Sequence, residues 1–455
     1  MLLSNLKKTG KMKRISLYII ALSTMIFTSC DNFLDIKPVG KVIPTAYQDY
    51  RDLMTNAYET VPTDRSLSTV RGDELQLIYD DWGDYLPYHS IFIWKDINPD
   101  ANTKDLPWQQ FYKAILNANQ VIIDGEKATD GTKEEIDQVR GEAYLMRAYM
   151  HFGLASLYSD VYSTENLNKK SIPLATTIDI WKNYERNTIE EVYKQIFSDI
   201  EDGLKLLNVN EQPKGINYRF SKISAYGFAA RVYAYAGDWE NARKYALKAY
   251  EINHTLVDMN SSSAKLPVNY TSDENVLAME QTFYSELKNR FNVSDKLVSA
   301  FDKSNDLRFA KYFEAKGSGY RCSLGYTLAN KVSMRTAEFY LLLAASEAQV
   351  SGGDLSKAKS YLKQLLSKRL KAEYYATQAT AIDAMGKDAF VKRVADERFR
   401  ELACQGFRWY DLRYFGKQEI TKTFNGESYT LTKGDSRYIL PFPTEATEAN
   451  PNLLN

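Results

Sequence analysis

Ala395-Asp-Glu-Arg-Phe-Arg-Glu-Leu-Ala-Cys-Gln-Gly-Phe-Arg-Trp-Tyr-Asp-Leu-Arg-Tyr-Phe-Gly416 mixes charges with large apolar groups more densely than any other part of the chain. Its first half reads as a helix. Phe399, Leu402 and Ala403 fall on one face at three- and four-residue spacing, Asp396 can pair with Arg400 and Arg398 with Glu401, and Gly406 ends the run. Beyond it, Phe407, Trp409, Tyr410, Leu412, Tyr414 and Phe415 alternate with Arg408, Asp411 and Arg413. These are too many rings to leave in water and too many charges to bury unpaired, so a segment wedged between helices is expected, its arginines paired with distant carboxylates. An acid/base site using Glu397, Glu401 or Asp411 is the functional alternative. Structural ion-pair networks gather the same groups, and packing is the preferred reading.

The chain opens with a leader. Lys7, Lys8, Lys11, Lys13 and Arg14 precede an apolar run from Ile15 to Phe27, followed by Thr28-Ser29-Cys30. That run is shorter than the roughly 20 residues needed to span a bilayer and reads as a secretory signal, with Met1 or Met12 as its start. A cysteine after small residues marks a lipobox, so residues 1–29 are expected to be removed and Cys30 lipidated. Cleavage would leave 53 basic against 58 acidic side chains. A mildly acidic body argues against a nucleic-acid partner. Only Cys322 and Cys404 remain as thiols, and His89, His151 and His254 stand singly, so no disulfide framework or metal-ligand spacing appears.

An internal repeat sets the architecture. Gly237-Asp238-Trp239 through Ala246 aligns with Gly353-Asp354-Leu355 through Leu362, each following an alanine-rich amphipathic stretch. Helix, Gly-Asp turn and helix, with alanine at the crossing, is the pattern of a tetratricopeptide hairpin. Further helices are expected from Trp108 to Ile123, Lys133 to Tyr158, Ile189 to Leu207 and Ser221 to Tyr235. Helical units then fall at about 106–160, 187–252 and 334–405, with irregular parts at about 40–105, 255–330 and 410–455. Such units are stable only when stacked, which favours one body over residues 30–455. The proline-rich stretches Tyr438–Pro443 and Asn450–Asn452 read as non-helical.

Glu397-Arg-Phe-Arg-Glu401 followed by Gly406-Phe-Arg-Trp-Tyr-Asp-Leu-Arg413 closely resembles the C-terminal signature of the SusD/RagB-like outer-membrane lipoproteins. Phe33-Leu-Asp35, Val139–Tyr149, Met334–Leu341 and the tail from Tyr438 resemble further family motifs, so the resemblance runs from Cys30 to Asn455. It implies a mainly α fold with tetratricopeptide-like hairpins supporting a loop-rich ligand-binding half. It also implies a lipid-anchored protein on the outer face of the outer membrane, which captures nutrients, most often oligosaccharides, for a SusC-like TonB-dependent transporter.

No nucleophile elbow, Walker loop, dinucleotide fingerprint or H-E-x-x-H helix occurs, so binding rather than catalysis is expected, without a cofactor. Asp96–Asn102 imitates the opening of a calcium loop, but Ala101 stands for its glycine and Pro107 for its bidentate glutamate, so no metal is expected. Sugars present apolar C–H faces and hydroxyl rims, which call for aromatic platforms beside hydrogen-bonding groups. Trp82, Tyr85 and Trp94 with Arg71, Asp73, Asp81 and Asn98 offer that set, and Tyr284, Tyr320 and Arg321 offer a second. The bland alternative is that these rings pack loops onto helices. Rival functions are capture of a peptide or other non-glycan nutrient, a protein-binding scaffold, and a surface hydrolase working through paired carboxylates such as Asp80-Asp81.

Overall fold

A computed structural model describes residues 44–454; the leader, Cys30 and the tether to Pro38 lie outside the described residues. Helix α1 (Tyr47–Glu59) and helix α2 (Asp64–Arg71) come first, so the stretch 47–71 is helical rather than loop. Its apolar face explains this, because Tyr50, Met54, Ala57 and Tyr58 at helical spacing bury against the hairpin that follows. A helix of about two turns, α3 (Leu86–Phe92), lies in the irregular half.

The helical half is built from antiparallel pairs: α4 (Gln109–Asp124) with α5 (Lys133–Tyr158), then α6 (Ile189–Leu206), α7 (Lys222–Tyr235) and α8 (Trp239–Ile252). Helices α9 (Thr336–Gln349), α10 (Leu355–Ser367), α11 (Ala372–Asp383), α12 (Lys387–Glu401) and α13 (Arg408–Tyr414) complete it. Local chemistry fixes several starts. Thr132 and Glu135, and again Thr188 and Glu191, cap each other reciprocally, while Asp238 accepts from the Asn241 amide in the first turn of α8 and Asp354 from the Ser356 and Lys357 amides in that of α10. In the α7–α8 turn Gly237 has φ +77°. In the α9–α10 turn the positive φ belongs to Gly352, whereas a Cβ on Gly353 would lie 2.0 Å from the Glu347 carbonyl oxygen. The aligned glycines therefore do different work.

Small antiparallel ladders hold the irregular half: β1 (Leu75–Leu77) on β3 (Phe291–Val293), β2 (Asn275–Leu277) on β6 (Met334–Arg335), β4 (Phe313–Lys316) on β5 (Gly319–Cys322), and β7 (Ile420–Phe424) on β8 (Glu427–Leu431). The last is closed by Asn425-Gly426, both at positive φ, as a tight two-residue turn requires. Leu67, Phe92, Phe291, Phe309, Phe313 and Phe424 fill the core of this half. In the tail, Thr444–Ala449 is helical despite the neighbouring prolines, because Pro443 precedes the first turn, where its missing N–H costs nothing.

The opening motif is an internal electrostatic frame. Glu401 accepts from Arg308 at 2.8 Å, Arg335 at 2.6 Å and Arg369 at 2.9 Å, all essentially without exposure. Arg335 and Arg369 also meet Glu274, while Glu397 takes Arg308, Arg393 and Arg400. The expected pairs within the helix are absent. Arg398 reaches Asp411 and Glu338, and Asp396 pairs with Lys392, because the buried face directs Arg398 inward across the fold. Nor does Gly406 end α12, which stops at Glu401; Arg408–Tyr414 then form α13, so the part expected to be irregular from about 410 begins inside a helix. With each of these carboxylates saturated by arginines, the acid/base alternative has no free group here.

Two other buried carboxylates, Asp64 and Glu74, are shifted the opposite way from Glu397 and Glu401. Burial pushes Asp64 up to about 7 and Glu74 up to about 8; Glu74 accepts only the Cys404 amide, at 2.8 Å. The folded chain keeps protons that the unfolded chain loses above about pH 4.5, so their contribution to stability falls as pH rises through that window to about 8. Glu74→Gln is expected to flatten the decline between pH 5 and 8 by up to about 1.4 kcal/mol per pH unit, read by urea unfolding across pH. An unchanged slope would show that Glu74 is ionised in the fold.

Candidate functional site

A cleft of about 1210 Å³ opens between the loop leading into α4, the segment from Pro173 to Tyr184, and the tail from Leu440 to Leu453. Its floor is aromatic. Trp108, the residue before α4, meets Tyr158 edge-on at 5.0 Å, Phe442 at 5.2 Å and Tyr112 at 5.1 Å, and Tyr158 stacks on Phe442 at 5.9 Å. Sequence distance hides this cluster, since its rings come from two helices and the tail.

The walls are tied to the helical frame. Asn119 Nδ2 donates to the carbonyls of Ala175 and Thr177 at 3.0 and 2.9 Å, and its own Oδ1 accepts from Arg147, which pairs with Asp199. Tyr112 donates to Pro173 O, the Thr177 and Tyr184 hydroxyls bond at 2.7 Å, and Asn450 donates to Tyr184 O. Ala175 N–H donates to His151 Nε2 at 3.4 Å; burial pushes that imidazole down to about 3, which keeps it neutral and able to accept. Along the rim, Asn98, Asp105, Gln109, Gln110, Lys113 and Glu445 present exposed polar ends. Half-buried rings below and hydrogen-bonding groups above form a surface suited to a ligand with apolar faces and hydroxyl edges.

The residues selected from sequence disperse. Asn98, at φ +49°, lines the cleft. Trp94 is buried to 1% exposure, donates to Arg71 O at 2.9 Å and lies under the Lys422 ammonium, so it has no face to offer. Arg71 is fully buried between Asp96, at 2.5 Å, and the Trp409 ring. Asp73 is buried against Arg408 and Lys296, which hold its carboxyl at about 2 despite the burial that raises it. These three are corrected from binding groups to framework: an arginine or aspartate among rings is as readily a buried ion-pair member as a surface contact. The calcium-like loop serves internally too, since Asp100 takes Lys95 at 2.6 Å and His89 at 2.7 Å.

Trp82 is 91% exposed on a turn in which its N–H donates to Asp80, and Asp81 beside it is also exposed. Tyr85 packs on Tyr79 and Phe424, leaving part of its ring accessible. Among the described residues, the ring neighbours of Tyr85 are Tyr79, His89 and Phe424, none of which belongs to the cleft floor. Tyr284, Tyr320 and Arg321 are half-buried in the irregular half; Tyr320 lies edge-on to Phe309 at 4.9 Å with the Lys303 ammonium above it, and Arg321 faces Glu314 across the β4–β5 ladder. Trp108, Tyr112, Tyr184 and Phe442 were missed by sequence reading. Aromatic residues flanked by prolines, as in Pro107-Trp108 and Pro441-Phe442-Pro443, were the available signal.

Comparison with known proteins bears on what this cleft belongs to. A family model described as starch-binding, associating with outer membrane, matches residues 32–234, and the model of the SusD family matches residues 230–455. A SusD-like protein of Formosa agariphila is 26% identical over 252 residues, 51% of this chain and 44% of that one. One from Bacteroides ovatus is 24% identical over 352 residues, 67% of this chain and 60% of that one, so the match spans about half the length of these relatives. Among solved structures, a SusD superfamily protein from Bacteroides fragilis superposes with TM-score 0.75 at 20% identity, covering 91% of this chain and 100% of that one. A protein described as a SusD-like carbohydrate binding protein from Bacteroides vulgatus gives 0.68 at 17%, covering 90% and 98%. Among the described residues no helix is long and apolar enough to cross a membrane.

Proposed function

The chain belongs to the SusD/RagB-like family, and from that premise we propose that it is a nutrient-binding lipoprotein of the outer membrane that captures oligosaccharides in the cleft beside Trp108. Delivery would be to a SusC-like TonB-dependent transporter, with Cys30 as the lipid anchor that keeps the body at the cell exterior. The observation that carries the glycan reading is the pairing of a ring floor with an exposed polar rim in one large cleft. The description of the Bacteroides vulgatus neighbour as carbohydrate binding supports it. Binding without turnover is part of the proposal. Trp82 with Asp81 and Tyr85 stands as a separate exposed patch that a longer ligand or the transporter could touch. The aliphatic share of the lining, Ile97, Ile180 and Leu440, favours as a second reading a peptide or other non-glycan nutrient.

Calorimetric titration of the full chain, in a sugar-free detergent, against plant, host and microbial oligosaccharides tests this. Saturable binding without new reducing ends is expected, with Trp108→Ala weakening it about tenfold or more at an unchanged fold. Loss of binding in Trp82→Ala instead would move the site to the exposed patch. Binding of peptides but no sugar would favour the second reading, and new reducing ends would overturn the non-catalytic role.

A further inference from the structure

We infer that Trp181 is the outer ring platform of the cleft and that it selects an uncharged, linear glycan several sugars long; this rests on the glycan reading above. Trp181 is 87% exposed, and its neighbours Ile180 and Lys182 both line the cleft, so its backbone runs along the rim and its indole stands in solvent. An exposed tryptophan offers a large flat apolar face with few rotatable bonds, well matched to a pyranose C–H face.

The loop that carries it is braced at its base. Trp181 N–H donates to Asp179 Oδ1 at 2.9 Å, the Thr177–Tyr184 hydroxyl bond closes the loop, and Asn119 and Asn450 pin Thr177 O and Tyr184 O. The base of the loop is therefore tied to the same frame that carries the Trp108 floor. A cleft of about 1210 Å³ exceeds the roughly 300–1,000 Å³ of ordinary small-molecule sites, so one sugar touching the floor would leave the rim unused.

Charge in the lining is balanced. Lys95 is paired with Asp100, Lys104 with Glu286 and Asp96 with Arg71. Of the remaining lining groups, Lys113 and Lys182 stand against Asp105, Asp179 and Glu445, leaving no excess positive field to draw a polyanionic chain.

The test titrates the full chain, in the same detergent, with maltose, cellobiose, xylobiose, mannobiose and laminaribiose, with the hexasaccharide of each series, and with hexagalacturonate. For a linkage that binds, the hexasaccharide is expected to bind at least tenfold tighter than its disaccharide. Trp181→Ala should cut that advantage to threefold or less, leave disaccharide affinity and melting temperature unchanged, and be rescued largely by Trp181→Phe. An undiminished hexasaccharide advantage in Trp181→Ala would overturn the assignment and point the exposed rim to a protein partner. Tighter binding of hexagalacturonate than of any uncharged hexamer would overturn the charge argument. If no sugar binds the unaltered chain, the glycan reading fails and this inference with it, a result distinct from binding that ignores Trp181.

Discussion

Glu401→Gln is expected to cost about 3–5 kcal/mol of folding stability, enough to unfold much of the population under conditions where the natural chain is folded. The substitution keeps the shape of the side chain and removes its charge. Arg308, Arg335 and Arg369, each at most 1% exposed, converge on this carboxylate. Glu274, Glu397 and Asp306 cannot take over without moving, since each is already bonded within the same network. Three guanidiniums would then share too few acceptors in a medium that does not solvate them. Urea midpoints measure the effect. Lys392→Ala, which breaks the exposed pair with Asp396, should change them by less than about 0.5 kcal/mol. A Glu401→Gln loss below about 1 kcal/mol would mean the network is solvated rather than sealed. The sign with pH follows: although burial opposes it, Arg369, Arg335 and Arg308 hold Glu401 at about 2. Its stabilisation is present above about pH 4.5 and lost as pH falls toward 2, the reverse of Glu74.

Gly406→Ala is the second large effect, expected at about 2–5 kcal/mol. Its φ of +77° costs an L-residue roughly 1–2 kcal/mol. A Cβ there would also lie 2.6 Å from Arg65 Cβ and 2.9 Å from Arg65 O, and relieving such overpacking adds about 1–3 kcal/mol. Neither atom can swing away. Arg65 is fixed by Glu280 at 2.6 Å, Val332 O and Gln405 O, with its guanidinium 4.2 Å above the Phe407 ring. Gly434→Ala serves as the control, since it shares positive φ but meets nothing within 4 Å. Thermal unfolding should place Gly434→Ala near 1–2 kcal/mol and Gly406→Ala well below it in stability. Equal losses would show that backbone conformation alone, not the close approach to α2, requires glycine at 406.

Both residues show how far the linear chain could be read. That Glu401 and its neighbours belong to an ion-pair network was legible, because no other arrangement reconciles so many charges and rings in one segment. Which partners they take was not. Arg398 has Glu401 three residues ahead, yet reaches Asp411 and Glu338, because burial of α12 rewards charges that meet across the core over those that meet along a wet helix face. Gly406 was expected to end α12, which stops earlier at Glu401, and its closeness to Arg65 belongs to the packing of α2. At the candidate site, Asn98 lines the cleft while Trp94, Arg71 and Asp73 are buried in the framework, since alternating rings and charges describe a buried frame as well as a binding face.

By itself, the sequence determined the helical hairpins, their Gly-Asp turns and the motif that carries the family resemblance. Each depends on residues within a few positions of one another, where spacing fixes geometry. Tertiary structure alone decided which aromatic residues are exposed and which groups share a cleft. Trp82 and Trp94 sit twelve positions apart in similar surroundings, yet one is 91% and the other 1% exposed. The cleft floor joins Trp108 to Phe442 across more than three hundred residues. Exposure and convergence arise from the packing of distant elements around a shared core, and no local pattern encodes which face of a loop that packing leaves in water.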